Sequence, residues 1–265
     1  MKKNIKIRHK NHNIKISCFF RSGKKEPLIF LHGLGCSKED FLRVFKSKKF
    51  NGYPILTFDI PGSNHSVYPN GVTLGLNDIV LILDKIIEAF GFKKIFLIGH
   101  SWGGDIALIY SLKFPGKVLG LVNIEGTLNS VGISWLEKVK KMGFNKFKGR
   151  FFENLKDSMK KSKINNLDKY SKSLEKTSSR AYFNYCSSTV NFCKDGKSLK
   201  KFINLDIPKI LIYGERNKDW LEVLPELKKH KCLIAKIPRS HHFSYYDNPR
   251  FLFGVIKKFI KNKVK

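Results

Sequence analysis

The sequence predicts an α/β fold in which a mostly parallel sheet is covered by helices on both faces. Continuous apolar runs alternate with amphipathic helical patterns, as such a fold requires. Ser101 follows a buried strand at 94–98 and precedes a helical pattern at 105–114, so it lies at a sharp turn. His32, Ser101 and Glu125 each come at the carboxyl end of a predicted strand, where ligands bind in such sheets.

The elements follow one another with short connections. Apolar runs and alternation predict strands at Ile5–Arg8, Ile14–Phe20, Pro27–Leu31, Pro54–Phe58, Lys94–Ile98, Val118–Ile124, Pro208–Tyr213 and Leu233–Ile237. Helical spacing predicts helices at Glu39–Phe50, Leu74–Phe90, Asp105–Phe114, Trp220–Lys229 and Pro249–Lys261. The first two strands form a hairpin with its turn near His12 and Asn13.

The composition changes between the sixth and seventh predicted strands. Apolar strands stop there, lysine and serine become more frequent, and weak helical patterns occur at 134–142 and 169–193. Because so long a structureless loop is uncommon in a compact domain, we predict a helical cap at 127–205 inserted into a core of 1–126 and 206–265. Its inner face carries aromatic residues, most of which we expect in the cap core rather than in a pocket: Trp135, Phe144, Phe147, Phe151, Phe152, Tyr170 and Tyr182.

The chain is strongly basic, with 51 Lys and Arg against 21 Asp and Glu and a formal net charge of +30. A polyanionic partner such as nucleic acid, anionic lipid or an acidic carrier protein would account for this charge. Compositional drift accounts for it better, because Lys, Asn, Ile and Phe are enriched together along the whole chain. Since no nucleic-acid-binding motif accompanies the charge, we expect no nucleic-acid partner.

The five cysteines are scattered, odd in number and without the spacing of metal ligands. This usage is typical of reduced thiols in a cytoplasmic protein, and we expect Cys36 to be an ordinary buried residue rather than a reactive thiol. No apolar run is long enough to span a membrane, and polar residues interrupt 5–20, where a signal peptide would need an apolar stretch. The sequence predicts a cytoplasmic protein with no metal and no cofactor.

Ser101 stands at the centre of a G-x-S-x-G motif formed with Gly99 and Gly103. Glycine on both sides removes Cβ atoms that would crowd a strand-to-helix turn, and such a turn exposes the serine hydroxyl beside a helix N-terminus. We therefore predict that Ser101 is a catalytic nucleophile. The backbone N–H groups of Trp102, which follows it, and of Leu34, in the loop after His32, are the predicted oxyanion hole.

A serine hydroxyl needs a base, which is usually a histidine oriented by a carboxylate. Among eight histidines, His242 follows the last predicted strand by a few residues, on a loop that can reach Ser101. We predict that His242 is the base, with His241 as the second choice. Most of the remaining histidines lie where a base is not expected: His9, His12 and His230 are in basic, solvated stretches, and His100 is the variable position of the serine motif.

Two loops compete to supply the carboxylate. Glu125 directly follows a buried strand, where an unpaired carboxylate is costly, and His242 is a suitable partner. Glu215 and Asp219 follow the strand after the cap. Asp219 directly precedes a helical pattern, so a role as N-cap accounts for it better.

Four motifs together resemble the α/β-hydrolase superfamily: Leu31–Gly35, Asp59–Ser66, Gly99–Gly104, and Ser240–Phe243 followed by Asn248 and Pro249. The resemblance spans both halves of the chain, omits only the cap, and implies an α/β-hydrolase fold. Asn64 and His241 stand where the superfamily usually has glycine. Asn217 stands where it commonly has its acid, but some branches carry the acid after the preceding strand, where Glu125 lies.

The resemblance implies a serine hydrolase that cleaves a carboxylic ester through an acyl-enzyme. Ser101 would attack the carbonyl, His242 would transfer the proton, Glu125 would orient His242, and the Leu34 and Trp102 amides would bind the oxyanion. Glu215 and Asp219 remain the alternative acids.

The substrate class stays open at this point. A serine nucleophile argues against the dehalogenase and epoxide-hydrolase branches, whereas thioesterase, lactonase and carbon–carbon hydrolase activities remain alternatives. A different class of alternative is a non-catalytic, ligand-binding member of the fold. A sharper hypothesis uses the charge: the substrate is a methyl ester on an acidic acyl carrier protein that docks on the basic cap, as in relatives resembling pimeloyl-carrier methyl-ester esterases.

Overall fold

The computed structural model describes residues 1–162 and 166–263, and across them eight strands form one sheet. The strands are β1 (Lys2–His9), β2 (His12–Arg21), β3 (Leu28–Leu31), β4 (Ile55–Phe58), β5 (Ile95–His100), β6 (Val118–Ile124), β7 (Lys209–Gly214) and β8 (Leu233–Ile237). Their order across the sheet is β1-β2-β4-β3-β5-β6-β7-β8. β2 pairs antiparallel with β1 and β4, and the other neighbouring strands are parallel, which confirms the predicted α/β class.

Helices cover both faces of this sheet. The α-helices of the described residues, including those of the segment between β6 and β7, are α1 (Leu42–Lys46), α2 (Leu76–Ala89), α3 (Trp102–Lys113), α4 (Ser130–Met142), α5 (Phe144–Lys146), α6 (Phe152–Lys161), α7 (Leu167–Leu174), α8 (Ser179–Cys193), α9 (Lys197–Asn204), α10 (Leu224–Lys229), α11 (Ser244–Asp247) and α12 (Pro249–Lys263). Successive residues of a strand face opposite sides, so Leu97 packs with Ile82 of α2 and Ile106 of α3, whereas Ile98 belongs to the cluster that contains Ile256 of α12. Both faces of β5 are therefore buried.

The chain between β6 and β7 forms helices α4 to α9 and has a hydrophobic cluster of its own. Phe147, Phe152 and Tyr182 lie at its centre, with their rings 5.1 to 5.6 Å apart. This segment coincides with the predicted cap, and its separation from the core as a domain stays a prediction. Residues 163–165 of that cap and 264–265 of the core lie outside the described residues.

Two predicted helices are interrupted in the structure. The pattern at 169–193 is divided between α7 and α8, because the backbone between them bonds to a loop of the core: Asn64 N–H donates to Lys176 C=O at 3.0 Å. Ser178 then caps α8 by accepting from Ala181 N–H at 3.3 Å. The predicted helix Glu39–Phe50 contains 3₁₀ turns on either side of α1, with Ser47 in an extended conformation.

Two boundaries also differ from the prediction. The hairpin turn lies at Lys10 and Asn11, which both have positive φ, a conformation that asparagine tolerates. His12, which was predicted near the turn, is already paired in β2. The helix predicted from Trp220 starts instead at Leu224, just before Pro225. Proline fits the first turn of a helix because the N–H it lacks has no partner there.

None of the helices in the described part of the chain combines the length and the apolar character needed to cross a bilayer.

Candidate active site

Ser101 lies at a strained turn between β5 and α3. Its backbone has φ 51° and ψ −127°, a conformation that costs a non-glycine residue about 1–3 kcal/mol. A Cβ on Gly99 would lie 2.2 Å from the carbonyl oxygen of Gly103, and one on Gly103 would lie 2.3 Å from that of Leu31. Only glycine fits at these two positions, so they allow β5, the turn and α3 to approach one another closely. The turn places Ser101 directly before the N-terminus of α3.

Glu125 and His242 are in contact on the carboxyl side of the sheet. His242 Nδ1 donates to Glu125 Oε2 at 2.5 Å, although 117 residues separate them. The carboxylate is buried and has two further donors, the Gly214 backbone N–H at 2.6 Å and Asn217 Nδ2 at 2.7 Å. Three hydrogen bonds hold the carboxylate in one orientation and compensate it for the loss of water.

The two alternative acids are placed differently. Glu215 accepts from Arg239 N–H at 3.0 Å and pairs with Lys236 at 3.1 Å. The Arg239 N–H is the main cause that lowers the Glu215 pKa. Asp219 lines the same cavity as Ser101, but it is exposed. The prediction that Asp219 is an N-cap was wrong: Asn217 occupies that position and accepts from Asp219 N–H at 3.4 Å.

The loop after β3 passes directly over Ser101. A Cβ on Gly33 would lie 3.0 Å from Ser101 Cβ. His32 fixes this loop, since its Nδ1 donates to Gly33 C=O at 2.8 Å and its Nε2 accepts from Ile60 N–H at 3.0 Å. Among the described residues, the backbone N–H groups of Leu34 and Trp102 have no hydrogen-bond acceptor, so both are available to a ligand.

One cavity of about 450 Å³ is lined by all five residues of the predicted site: Leu34, Ser101, Trp102, Glu125 and His242. The rest of its wall is mainly apolar and comes largely from the segment between β6 and β7: Trp135, Leu136, Leu155, Met159, Tyr170 and Tyr182. Three of the seven predicted cap aromatics thus line the cavity, and the other four do not. This wall suits an apolar ligand.

Cys36 also lines the cavity, and all five cysteines are free. Burial raises the pKa of the Cys36 thiol well above its ordinary value, so the thiol stays protonated near neutral pH. The expectation of an ordinary buried cysteine therefore agrees with the structure.

A model of the family described as the alpha/beta hydrolase fold matches residues 26–249. The chain belongs to this family. A protein of Mycoplasma genitalium named as an esterase/lipase is 33% identical over 108 residues, which are 40% of this chain and 40% of that protein. An sn-1-specific diacylglycerol lipase of Danio rerio is 33% identical over 114 residues, or 43% of this chain and 35% of the lipase. These alignments thus cover well under half of each curated relative.

A solved structure from Nitrososphaera gargenis, described in a study of carboxylesterases, superposes with a TM-score of 0.80. The superposition covers 98% of this chain and 99% of that one at 14% identity, so it shows the shared fold. The two departures from glycine in this α/β hydrolase have local causes. Asn64 has a positive φ of 46°, which asparagine tolerates, whereas His241 has no positive φ; in that loop Arg239 has one, of 57°.

Two residues of the site are not identified by the sequence patterns. In the sequence, Asn217 is notable only because it stands where the superfamily resemblance predicts an acid. His100 is notable only as the variable position of the G-x-S-x-G motif. His100 is wholly buried, and its Nε2 donates to the carbonyl oxygen of His242 at 2.9 Å. A histidine at the end of a strand buried on both faces needs a polar partner, and this requirement was a signal in the sequence. The prediction of a solvated His9 was also wrong: it is buried and bonds to Asp78 at 2.9 Å.

One group of side chains in the described residues has the spacing of a metal site, with ligand atoms of Glu39, Asp59 and His65 within 4.8 Å of one another. The buried ammonium of Lys38 lies 2.6 Å from Asp59 Oδ2 and 3.0 Å from Glu39 Oε1. This cation already pairs with both carboxylates, so the group is an ion-pair cluster.

Proposed function

We propose that this α/β hydrolase is a serine carboxylesterase that acts through an acyl-enzyme. The observation that carries the proposal is the contact of His242 Nδ1 with Glu125 Oε2 beside the cavity that Ser101 lines. A carboxylate on Nδ1 leaves Nε2 of His242 as the basic nitrogen, which is what a serine hydroxyl requires. Ser101 attacks the ester carbonyl, and the Leu34 and Trp102 N–H groups stabilise the oxyanion.

His242 then returns the proton to the departing alcohol, and a water activated by the same histidine releases the acid. The apolar cavity favours a hydrophobic acyl chain, and the names of the esterase/lipase and diacylglycerol lipase relatives are consistent with an ester substrate. Thioesters, lactones and activated carbon–carbon bonds proceed through the same tetrahedral species, so thioesterase, lactonase and carbon–carbon hydrolase activities are the closest alternatives.

The test is hydrolysis of p-nitrophenyl esters of increasing chain length by the wild type and by Ser101→Ala. We expect turnover by the wild type, its loss in the variant, and a chain-length optimum that measures the cavity. A fluorophosphonate probe should label the wild type alone. Equal inertness of both proteins toward every ester and the probe would instead support a ligand-binding protein of this fold.

A more specific substrate is a methyl ester carried on an acidic acyl carrier protein. Exposed lysines on α6 and α7, two of the helices that line the cavity, support this docking: Lys160, Lys161 and Lys172. Charge attraction of this kind speeds association and weakens with salt. Carrier-linked ester should therefore be cleaved with a higher kcat/KM than free methyl ester, and about 0.5 M NaCl should remove the difference. Equal and salt-independent values would refute carrier docking while leaving the esterase activity intact.

We further propose a cytoplasmic location, which the five free cysteines support because such thiols persist in reducing compartments. Fractionation of cells that express a tagged protein tests this. Recovery with the membrane or secreted fraction would contradict it.

A further inference from the structure

His100 lies between the loop that carries His242 and two buried polar side chains, those of Tyr245 and Asp40. Its Nε2 donates to the carbonyl oxygen of His242 at 2.9 Å, and the two imidazole rings lie 4.6 Å apart. Burial is the largest cause that lowers the His100 pKa, well below the ordinary value. The ring is therefore neutral near pH 7 and carries one N–H. Because Nε2 holds that hydrogen, Nδ1 carries only a lone pair.

The hydroxyl of Tyr245 faces Nδ1. The oxygen lies 3.4 Å from His100 Nδ1, and the two rings are almost perpendicular, with centroids 4.8 Å apart. The same hydroxyl donates to Asp40 Oδ2 at 3.3 Å, and the Asp40 carboxyl also accepts from Tyr246 at 2.6 Å. Tyr245 is 1% exposed and His100 is fully buried, so water does not compete for these contacts.

The carbonyl of His242 decides which nitrogen of His100 carries the hydrogen. His100 Nε2–H points to that carbonyl, whereas the opposite tautomer would turn a lone pair toward it, and two acceptors would then face each other. The contact with His242 therefore requires the Nε2–H tautomer of His100, and the Tyr245 hydroxyl packs against the other nitrogen of the ring.

We propose that His100 is a positioning residue for His242 and that the Tyr245 hydroxyl helps to hold the His100 ring. This inference rests on the proposed esterase function, because it concerns the histidine that moves the proton. His242 must take a proton from Ser101 in acylation and give one back to it in deacylation, and misplacement by about 1 Å slows such steps. The contact acts on the main chain of His242, whereas Glu125 acts on its side chain. Together they fix both ends of the residue.

The experiment compares His100→Gln with His100→Asn. The glutamine amide nitrogen reaches the position of histidine Nε2 and can still donate to the His242 carbonyl, whereas the asparagine amide reaches only the position of Nδ1. We expect His100→Asn to lower kcat by about 10- to 100-fold with little change in KM, and His100→Gln to retain most of kcat. A merely structural role would lower the melting temperature of both variants without separating their kcat values.

A second pair tests the role of Tyr245. Tyr245→Phe removes the hydroxyl that lies against His100 Nδ1, whereas Tyr246→Phe removes a hydroxyl that contacts the same carboxyl of Asp40 without reaching His100. We expect only Tyr245→Phe to lower kcat, and this pair decides the question if His100→Asn does not fold. Equal kcat values within both pairs, in a background where the wild type is active, would overturn the inference. An inactive wild type would count against the esterase proposal instead.

Discussion

The side-chain amide of Asn217 donates to Glu125 Oε2 at 2.7 Å. The two residues belong to loops that follow the adjacent strands β6 and β7, and Asn217 occupies the position where many relatives have their acid. In this chain the carboxylate therefore comes from one strand and a supporting amide from the next. The arrangement suggests which substitutions separate the acid from its support.

Glu125→Gln should lower kcat by about 10³- to 10⁴-fold, because a neutral amide cannot stabilise the imidazolium that forms on His242. Asp219→Asn and Glu215→Gln are matched controls of the same chemical change on the neighbouring loop, and both should keep kcat within about 3-fold of the wild type. Steady-state kinetics on one p-nitrophenyl ester measures all three. A large loss in Asp219→Asn alone would move the acid to that residue.

Asn217→Asp should also lower kcat, since it brings a second carboxylate into contact with Glu125 and repulsion displaces the first. In a Glu125→Gln background the same substitution should instead raise kcat, because it restores one negative charge near His242. Whether Asn217→Asp lowers or raises kcat thus depends on whether residue 125 is Glu or Gln. A double-mutant cycle on kcat measures this coupling. An equal loss in both backgrounds would show that Asn217 has no coupling to the acid.

Gly103→Ala should destabilise the fold by about 3 kcal/mol or more, because its Cβ would lie 2.3 Å from the backbone oxygen of Leu31. Gly254→Ala is the control: this glycine lies in α12 with nothing within 4 Å of the added Cβ. Alanine favours a helix interior, so that variant should gain about 0.5–1 kcal/mol. Urea unfolding gives both free energies, and equal values would contradict the close approach at Gly103.

Asp105 should make stability depend on pH. Burial outweighs the two hydrogen bonds from Thr127 and raises the Asp105 pKa from 3.8 to about 7. Between these values the folded state keeps a proton that the unfolded state has released, so the free energy of unfolding should fall as pH rises from about 4 to about 7.

Asp105→Asn removes this titration, keeps an acceptor for Thr127 N–H, and should flatten that part of the pH profile. It should also be more stable than the wild type at about pH 8. Asp219→Asn changes an exposed carboxylate and should leave the slope unchanged. Urea unfolding at about pH 5 and about pH 8 provides the comparison. Parallel profiles for the wild type and Asp105→Asn would show that Asp105 is ionised throughout.

The sequence was most informative where one local pattern decides the structure. Strands β6 and β8 have the bounds predicted for them, Val118–Ile124 and Leu233–Ile237, because mainly apolar runs between polar loops leave little freedom. The G-x-S-x-G spacing around Ser101 likewise identified a turn whose backbone demands glycine on both sides.

Features that depend on distant contacts were not visible in the sequence. The break between α7 and α8 coincides with the hydrogen bond that Asn64 N–H donates to Lys176 C=O. His9 is buried because it forms a hydrogen bond with Asp78, which is 69 residues away. The support of Glu125 by Asn217 joins residues 92 positions apart. Local composition carries no information on such pairs, so basic surroundings made His9 look solvated.

The wide separation of the paired side chains has a consequence for the timing of activity during synthesis. Ser101 and Glu125 leave the ribosome early, but His242 follows Glu125 by 117 residues. At about 5–20 residues per second this interval lasts roughly 6–23 s. If the proposed roles of Ser101 and His242 hold, the nascent chain during that time has the nucleophile without its base and does not turn over an ester. The appearance of hydrolysis in a translation reaction would therefore report the docking of β8 and its following loop, and would time a late step of folding.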